Sequence, residues 1–106
     1  MVRTIRWTET AIKDLNESAR FIHRDSPYYA AAFVKEVRRA ARSLNLSSER
    51  ERIVPESERP DIREIYVKSY RLIYQVKTHE VFLLSLIHGS RDLETLWKKR
   101  FEDYQF

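Results

Sequence analysis

The sequence predicts an α+β protein in which an antiparallel sheet packs against a helical hairpin, in the order β-α-α-β-β-β with one further helix. In the first half of the chain apolar residues recur at spacings of three and four, as they do along one face of a helix. In the second half the apolar residues alternate with polar ones or form short continuous runs, as in strands. Two helices joined by a short turn favour an antiparallel pair.

The chain is predicted to open with a strand over residues 2–7 that exposes Arg3 and Arg6 among apolar neighbours. Thr8 is a candidate cap for the first helix. The pattern breaks at residues 23–25, so the helix is expected to end there. Its expected apolar stripe consists of Ile12, Leu15, Ala19 and Ile22.

Ser26 and Pro27 predict the start of a second helix, with Ser as its cap and Pro at its first position. Residues 46–61 are polar, carry two prolines and predict a loop that packs at Ile53 and Val54. The apolar stripe of the helix is Ala30, Phe33, Val34, Val37, Ala41 and Leu44, and its basic side is Lys35, Arg38, Arg39 and Arg42.

Three strands are predicted next, at residues 62–67, 70–76 and 81–88, with a hairpin turn at 68–69. Alternation places Tyr70, Leu72, Tyr74 and Val76 on one face of the second of these strands, and Arg71, Ile73 and Gln75 on the other. The helices should cover the first face, and the face that carries Arg71 is expected to be partly open. The last helix is expected to bury Leu93, Leu96, Trp97 and Phe101.

Composition limits the classes of function. A chain of 106 residues suits a single domain, here taken as residues 1–106. The net charge of +4 favours anionic partners such as nucleic acid or an acidic protein, although many proteins carry such a charge without using it. There is no cysteine, no apolar run long enough to span a membrane and no secretory h-region, so a cytoplasmic protein without a membrane partner is expected.

The sequence predicts no metal and no cofactor. The three histidines, His23, His79 and His88, are far apart and have no acidic residue at ligand spacing. A single glycine cannot build a phosphate-binding glycine loop, and no serine lies in a recognisable nucleophile turn.

Arginines are the informative residues. Arg63 begins one predicted strand, Arg71 lies inside the next and Arg91 follows the third, so their guanidinium groups could converge on one face and bind phosphate or carboxylate. The alternative is that each arginine pairs with a neighbouring acid such as Glu64 or Asp92. His88 could act as an acid–base group, or it could be a core or capping histidine.

Trp97 and the basic side of the second helix also allow two interpretations. Trp97 could stack on a base, but its helical spacing with Leu93 and Phe101 favours a core position. The basic side of the second helix is most simply a solvated face, and it could also meet DNA or an acidic protein.

Several short motifs, taken in order, resemble the RelE/ParE toxin family. The opening Trp7-Thr8 with Ala11 and Asp14-Leu15, and the Ser26-Pro27 restart with Ala30 and Phe33, are similar to the family's helical hairpin. The stretches that match further along are Arg52-Ile53-Val54-Pro55-Glu56, Arg63-Glu64, Tyr70-Arg71-Leu72-Ile73-Tyr74 and Ile87-His88-Gly89-Ser90-Arg91-Asp92-Leu93. The resemblance extends to about Leu96 and implies the fold deduced above.

The resemblance implies one of two activities. RelE-like members cleave mRNA on the ribosome, and Arg71 and Arg91 stand where their two phosphate-stabilising arginines lie. The place of the tyrosine those members commonly use falls on Trp97, whose indole cannot exchange a proton as a phenol does. His88 or Tyr104 would have to replace it. ParE-like members poison DNA gyrase, and the extended hairpin with the His-Gly-Ser-Arg-Asp ending favours this activity.

The resemblance therefore implies the toxin of a type II toxin–antitoxin pair, which inhibits growth until a cognate antitoxin neutralises it. Gyrase inhibition is favoured, RelE-like mRNA cleavage is the alternative, and a non-toxic relic that binds antitoxin or DNA is the second alternative. Operator DNA would be reached only through the antitoxin. The residues expected to bind the target are Arg63, Arg71, Arg91, Trp97 and Lys98, and the expected rim of the antitoxin groove is Lys35, Arg38, Arg39 and Arg42.

Overall fold

The computed structural model describes residues 2–101 of the chain. Five strands and three helices follow one another with a short 3-10 helix between the second and third strands. Their bounds are β1 Thr4–Trp7, α1 Glu9–His23, α2 Pro27–Ser47, β2 Arg52–Ile53, the 3-10 helix Pro55–Ser57, β3 Ile62–Val67, β4 Tyr70–Val76, β5 Glu80–His88 and α3 Leu93–Phe101. The predicted α+β class and the order of its main elements are confirmed.

Both predicted helix caps are confirmed. The Thr8 hydroxyl accepts a hydrogen bond from the backbone N–H of Ala11 at 3.2 Å and donates one to the carbonyl of Leu83 at 2.7 Å. The Ser26 hydroxyl accepts from the N–H of Tyr29 at 3.2 Å. Each cap satisfies an N–H at a helix start that has no partner inside the helix. Through Leu83, Thr8 also ties the start of α1 to the middle of β5.

Two details of the helices differ from the prediction. Ile12 lies 45% exposed and is not part of the core, because the buried side of α1 is centred on Ala11, Asp14 and Leu15. The buried carboxylate at position 14 is invisible to an apolar pattern, so the predicted stripe was rotated. Helix α2 continues to Ser47, beyond the point at which the loop was expected to begin.

The sheet has the strand order β1-β5-β4-β3-β2 and is mixed. Strands β3 to β5 pair antiparallel as expected, and β2 adds to β3, also antiparallel. Strand β1 instead pairs parallel with β5, with Ile5 opposite Val81. A parallel pair needs a long crossover connection, and the helical hairpin followed by the meander supplies one. The short β2 lies in the segment that was predicted to be a loop.

Both faces of the sheet are covered. Helices α1 and α2 pack on the first face, where Phe33, Val37, Leu72 and Tyr74 are among the buried residues. The second face was expected to be partly open, yet a second buried cluster covers much of it. Helix α3 and the segment around the 3-10 helix supply its cover, because the apolar residues of β3 to β5 on that face need a partner. This cluster comprises Val54, Ile62, Ile73, Leu84, Ile87, Leu93 and Phe101.

No helix within residues 2–101 is long and apolar enough to cross a membrane.

Candidate functional site

The Arg71 guanidinium is held between two carboxylates on the second face of the sheet. Its Nε and Nη2 donate to the carboxylate of Glu64, the latter at 3.1 Å, and its Nη1 and Nη2 donate to Glu56 at 3.4 and 3.2 Å. The side chains of Arg71 and Glu64 are 8% and 1% exposed. Arg52 approaches Glu64 from the solvent side, at 3.4 Å. We call Arg71, Glu64 and Glu56 the carboxylate clamp.

Strand register explains why the clamp forms. The two-residue turn Lys68-Ser69 sets Arg71 directly opposite Tyr66, so Glu64 is its diagonal neighbour on the same face. Glu56 comes from the 3-10 helix, which carries it over the sheet. The alternative that Arg71 pairs with Glu64 is therefore confirmed, and Glu56 is a partner that sequence patterns did not indicate.

Electrostatics reinforces the clamp. Burial acts to lower the pKa of Arg71, but its hydrogen bonds to Glu64 and Glu56 outweigh burial and raise it. Burial likewise acts to raise the pKa of Glu56, and the hydrogen bonds from Arg71 hold it below its usual value. Arg71 and Glu56 are thus both charged at neutral pH, and the positive charge of Arg71 is compensated within the clamp.

The three arginines that were expected to converge do not share a face. Arg63 lies opposite Tyr74 on the first face, the side covered by the helices, where its Nη1 donates to the carbonyl of Glu51 at 2.7 Å. Arg71 lies on the second face, next to Ile73 in the second buried cluster. Alternation along β3 and β4 places the two side chains on opposite faces of the sheet. The prediction considered only that neighbouring strand ends lie close together, and it did not consider which face each side chain occupies.

Arg91 lies beyond the end of β5, where it is exposed. It lines a pocket of about 200 Å³ together with His88 and Arg100, and also with the carboxylates of Asp14 and Glu17. His88 is exposed as well. Its Nδ1 accepts a hydrogen bond from the backbone N–H of Ser90 at 3.1 Å and lies 2.7 Å from the Ser90 hydroxyl. His88 thus caps the turn after β5, and its exposure excludes the core position that was also considered.

A buried ionic cluster that sequence reasoning missed joins α1, β5 and α3. The Asp14 carboxylate is 6% exposed and accepts hydrogen bonds from the Ser85 hydroxyl at 2.7 Å and the Leu86 N–H at 3.0 Å. The Arg100 guanidinium donates to both Asp14 oxygens, at 2.7 and 3.0 Å. The sequence signal was an acidic residue at an otherwise apolar helix position, but its partner lies 86 residues away.

Helix α3 places Trp97 and Lys98 differently. Trp97 is half-buried against the second cluster, with its ring 4.6 Å from that of Phe101, as the core interpretation expected. One side of Trp97 also borders a cavity of about 790 Å³ that Glu56 and Glu58 line. Lys98 is exposed, 3.7 Å from Glu94. Tyr104, named as a possible acid–base group, lies outside the described residues.

The four basic residues of α2, Lys35, Arg38, Arg39 and Arg42, are all exposed. An apolar groove lies further towards the tip of the helical hairpin. Its volume is about 320 Å³. We call it the tip groove: Phe21 and Tyr29 form its walls, Phe33 and Tyr70 its floor, and Lys68 and His88 its rim. Sequence patterns assigned Phe33 and Tyr70 to the core and gave no role to Phe21, Tyr29 or Lys68.

Comparisons with known proteins agree with this geometry. Residues 5–93 match the family described as "ParE toxin of type II toxin-antitoxin system, parDE". No curated protein gives a significant match to the sequence. Among solved structures, a chain from the "Chromosomal ParDE TA system from P. aeruginosa" is similar in fold, with a TM-score of 0.68 at 20% identity, over 82% of this chain and 96% of the other. Since the family match spans most of the sequence, the chain belongs to the ParE toxin family of type II toxin–antitoxin systems.

Proposed function

We propose that this toxin inhibits growth by binding DNA gyrase, that it does not cleave mRNA, and that a cognate antitoxin neutralises it. The observation that carries the choice of target is the carboxylate clamp. The arginine that a RelE-like nuclease would need for the phosphate is already bound to Glu64 and Glu56, with its side chain 8% exposed.

Cleavage of RNA by its own 2′-OH builds negative charge on the phosphoryl oxygens in the transition state. A preorganised and available cation stabilises that charge, and losing one such donor costs about a hundred- to a thousandfold in rate. In the clamp, the two carboxylates would repel an approaching phosphate, and displacing them would leave the buried Glu64 without its main partner. The indole at position 97, where a nuclease of this kind commonly has a tyrosine, also argues against RNA cleavage.

Poisoning of an enzyme requires a complementary surface and no bond-making chemistry. The exposed end of α3 offers one, with Lys98 and Lys99 in its last turn. The Lys98 side chain is 72% exposed, and its contact with Glu94 at 3.7 Å is between two exposed groups, so it holds the ammonium only weakly. These lysines are part of the net charge of +4, and a positive charge favours a target that is bound to DNA.

The test is a paired assay of the purified protein with gyrase supercoiling and with translating ribosomes. We expect inhibition of supercoiling without mRNA cleavage. Lys98→Glu with Lys99→Glu should weaken inhibition, whereas Lys13→Glu, which reverses an exposed charge on α1, should not. Codon-specific mRNA cleavage with active gyrase would overturn the proposal. Normal growth at high expression of the folded protein would instead support the non-toxic relic.

For the antitoxin, we propose that a segment disordered on its own folds onto the toxin, with the basic face of α2 as its charged rim. Charge reversal at Arg38 and Arg42 should lower the affinity and its salt dependence, because rim charges act mainly through the association rate. Unchanged affinity and salt dependence would exclude this rim.

A further inference from the structure

The tip groove combines exposed aromatic walls with a rigid aromatic floor. Phe21 and Tyr29 are 63% and 66% exposed, far more than rings of this size usually are in a domain core. Below them the Phe33 and Tyr70 rings lie 4.8 Å apart, and the Tyr70 and His88 rings 5.1 Å apart. Packed rings underneath and exposed rings above, of which Tyr29 meets Tyr28 edge-on at 5.6 Å, form a preorganised site for an apolar side chain.

Lys68 on the rim has a strained backbone. Its φ of 53° lies in the left-handed region, where glycine and asparagine are favoured and a lysine is uncommon. The two-residue β3–β4 turn requires such a conformation, and glycine would adopt it without strain. Strain of this kind at an exposed site suggests that the side chain has a use which offsets its cost.

Charge indicates what the groove binds. Lys68 and the imidazole of His88 line it, and none of the residues 2–101 adds a carboxylate to its lining. The Lys68 ammonium lies 3.5 Å from Glu36, and both side chains are exposed, so an incoming carboxylate can replace Glu36 at little cost. Lys68 also borders a shallow cleft lined by Arg39 and Glu36, so it lies between the tip groove and one residue of the basic face of α2.

We propose that the tip groove binds one apolar side chain of the antitoxin and that Lys68 binds a carboxylate next to it. The antitoxin segment runs along the basic face of α2, passes Arg39 and Lys68, and inserts its apolar side chain between Phe21 and Tyr29. This inference rests on the proposed neutralisation by an antitoxin and names the place and chemistry of the contact: an acidic peptide with an apolar anchor.

Adjacent tyrosines supply a matched test of the apolar anchor. Tyr29 lines the groove, whereas Tyr28, 77% exposed, does not line it and only meets the Tyr29 ring edge-on, with ring centroids 5.6 Å apart. The probe is the full-length short protein encoded next to this chain's gene, titrated by calorimetry. Tyr29→Ala should weaken binding about thirtyfold, the typical cost of truncating an aromatic anchor. Tyr28→Ala should change it less than about threefold. Equal effects of the two variants would overturn the groove assignment.

A glycine at position 68 separates binding from folding. Lys68→Gly relieves the strained backbone, so Tm should stay level or rise by a few degrees. The same variant should bind the antitoxin about three- to tenfold more weakly at low salt, mostly through slower association, with the difference fading as salt increases. The charge control is Lys13→Ala on α1. Alanine replaces glycine in this control because glycine would weaken the helix. Undiminished affinity of Lys68→Gly would refute the role of its ammonium.

The outcomes distinguish this inference from the proposed function. If wild-type protein does not bind the neighbouring gene product, the proposed neutralisation fails. If it binds and neither Tyr29→Ala nor Lys68→Gly weakens the complex, only the groove assignment fails. Concentration-dependent self-association of the toxin alone that Tyr29→Ala abolishes would make the groove an interface between two copies and overturn the inference.

Discussion

Replacing Arg71 by alanine tests whether the carboxylate clamp is structural. The substitution leaves the Glu64 carboxylate, 1% exposed, without its main partner. Breaking a buried pair by removing one member typically costs about 3–5 kcal/mol. Arg52 at 3.4 Å can compensate in part, although its side chain is 63% exposed, so we expect a loss near the lower end, about 3 kcal/mol. For a domain of this size that lowers Tm by roughly 10 to 25 °C.

The assay is urea unfolding followed by circular dichroism, together with gyrase inhibition of the variants. The matched variant is Arg71→Met combined with Glu64→Leu, which removes both buried charges. Replacing a buried ion pair by apolar side chains of similar volume is often neutral, so stability should return to within about 1 kcal/mol of wild type. Glu56 also loses its partner in this variant, but it lies on the 3-10 helix and is 29% exposed, so its carboxylate can turn to solvent.

The double variant should still inhibit gyrase, because the proposed contact with the enzyme does not use the guanidinium. One result would refute this reasoning: a stably folded Arg71→Ala protein, less than about 1 kcal/mol weaker than wild type, that has lost toxicity. Arg71 would then act on the target directly, and its pairing with Glu64 would be incidental.

Three further predictions concern stability. Asp14→Ala removes the acceptor that joins α1, β5 and α3, and it should lower the free energy of unfolding by about 3 kcal/mol in urea titration; a loss below about 1 kcal/mol would show that the cluster is dispensable. Deleting residues 98–106 should prevent stable folding, because it removes the buried Phe101. Deleting residues 102–106 keeps Phe101, so gyrase assays should use this shorter deletion. Folding lowers the pKa of Glu56 below its usual value of 4.5. The ionised carboxylate therefore stabilises the fold at pH values above 4.5, and this contribution is lost as the pH falls through the folded-state pKa. Glu56→Gln should therefore flatten the acid limb of a stability–pH curve, and an unchanged limb would contradict the assignment.

Local signals in the sequence determined much of the fold. The hydroxyls of Thr8 and Ser26 and the ring of Pro27 fixed both helix starts, because caps act on N–H groups two or three residues away. The turn at 68–69 fixed the pairing of β3 with β4, and alternation then assigned the faces of β4. The same motifs, in order, indicated the toxin family.

Tertiary structure decided which distant segments meet. No local sequence signal indicates that β1 pairs parallel with β5, because this pairing depends on which edge of the sheet remains free after the meander forms. The partners of Asp14 and Arg71 were also decided there, since Arg100 and Glu56 reach them only after α3 and the 3-10 helix close over the second face. A carboxylate in a sequence shows that a charge must be satisfied, and only the packed chain determines by which group.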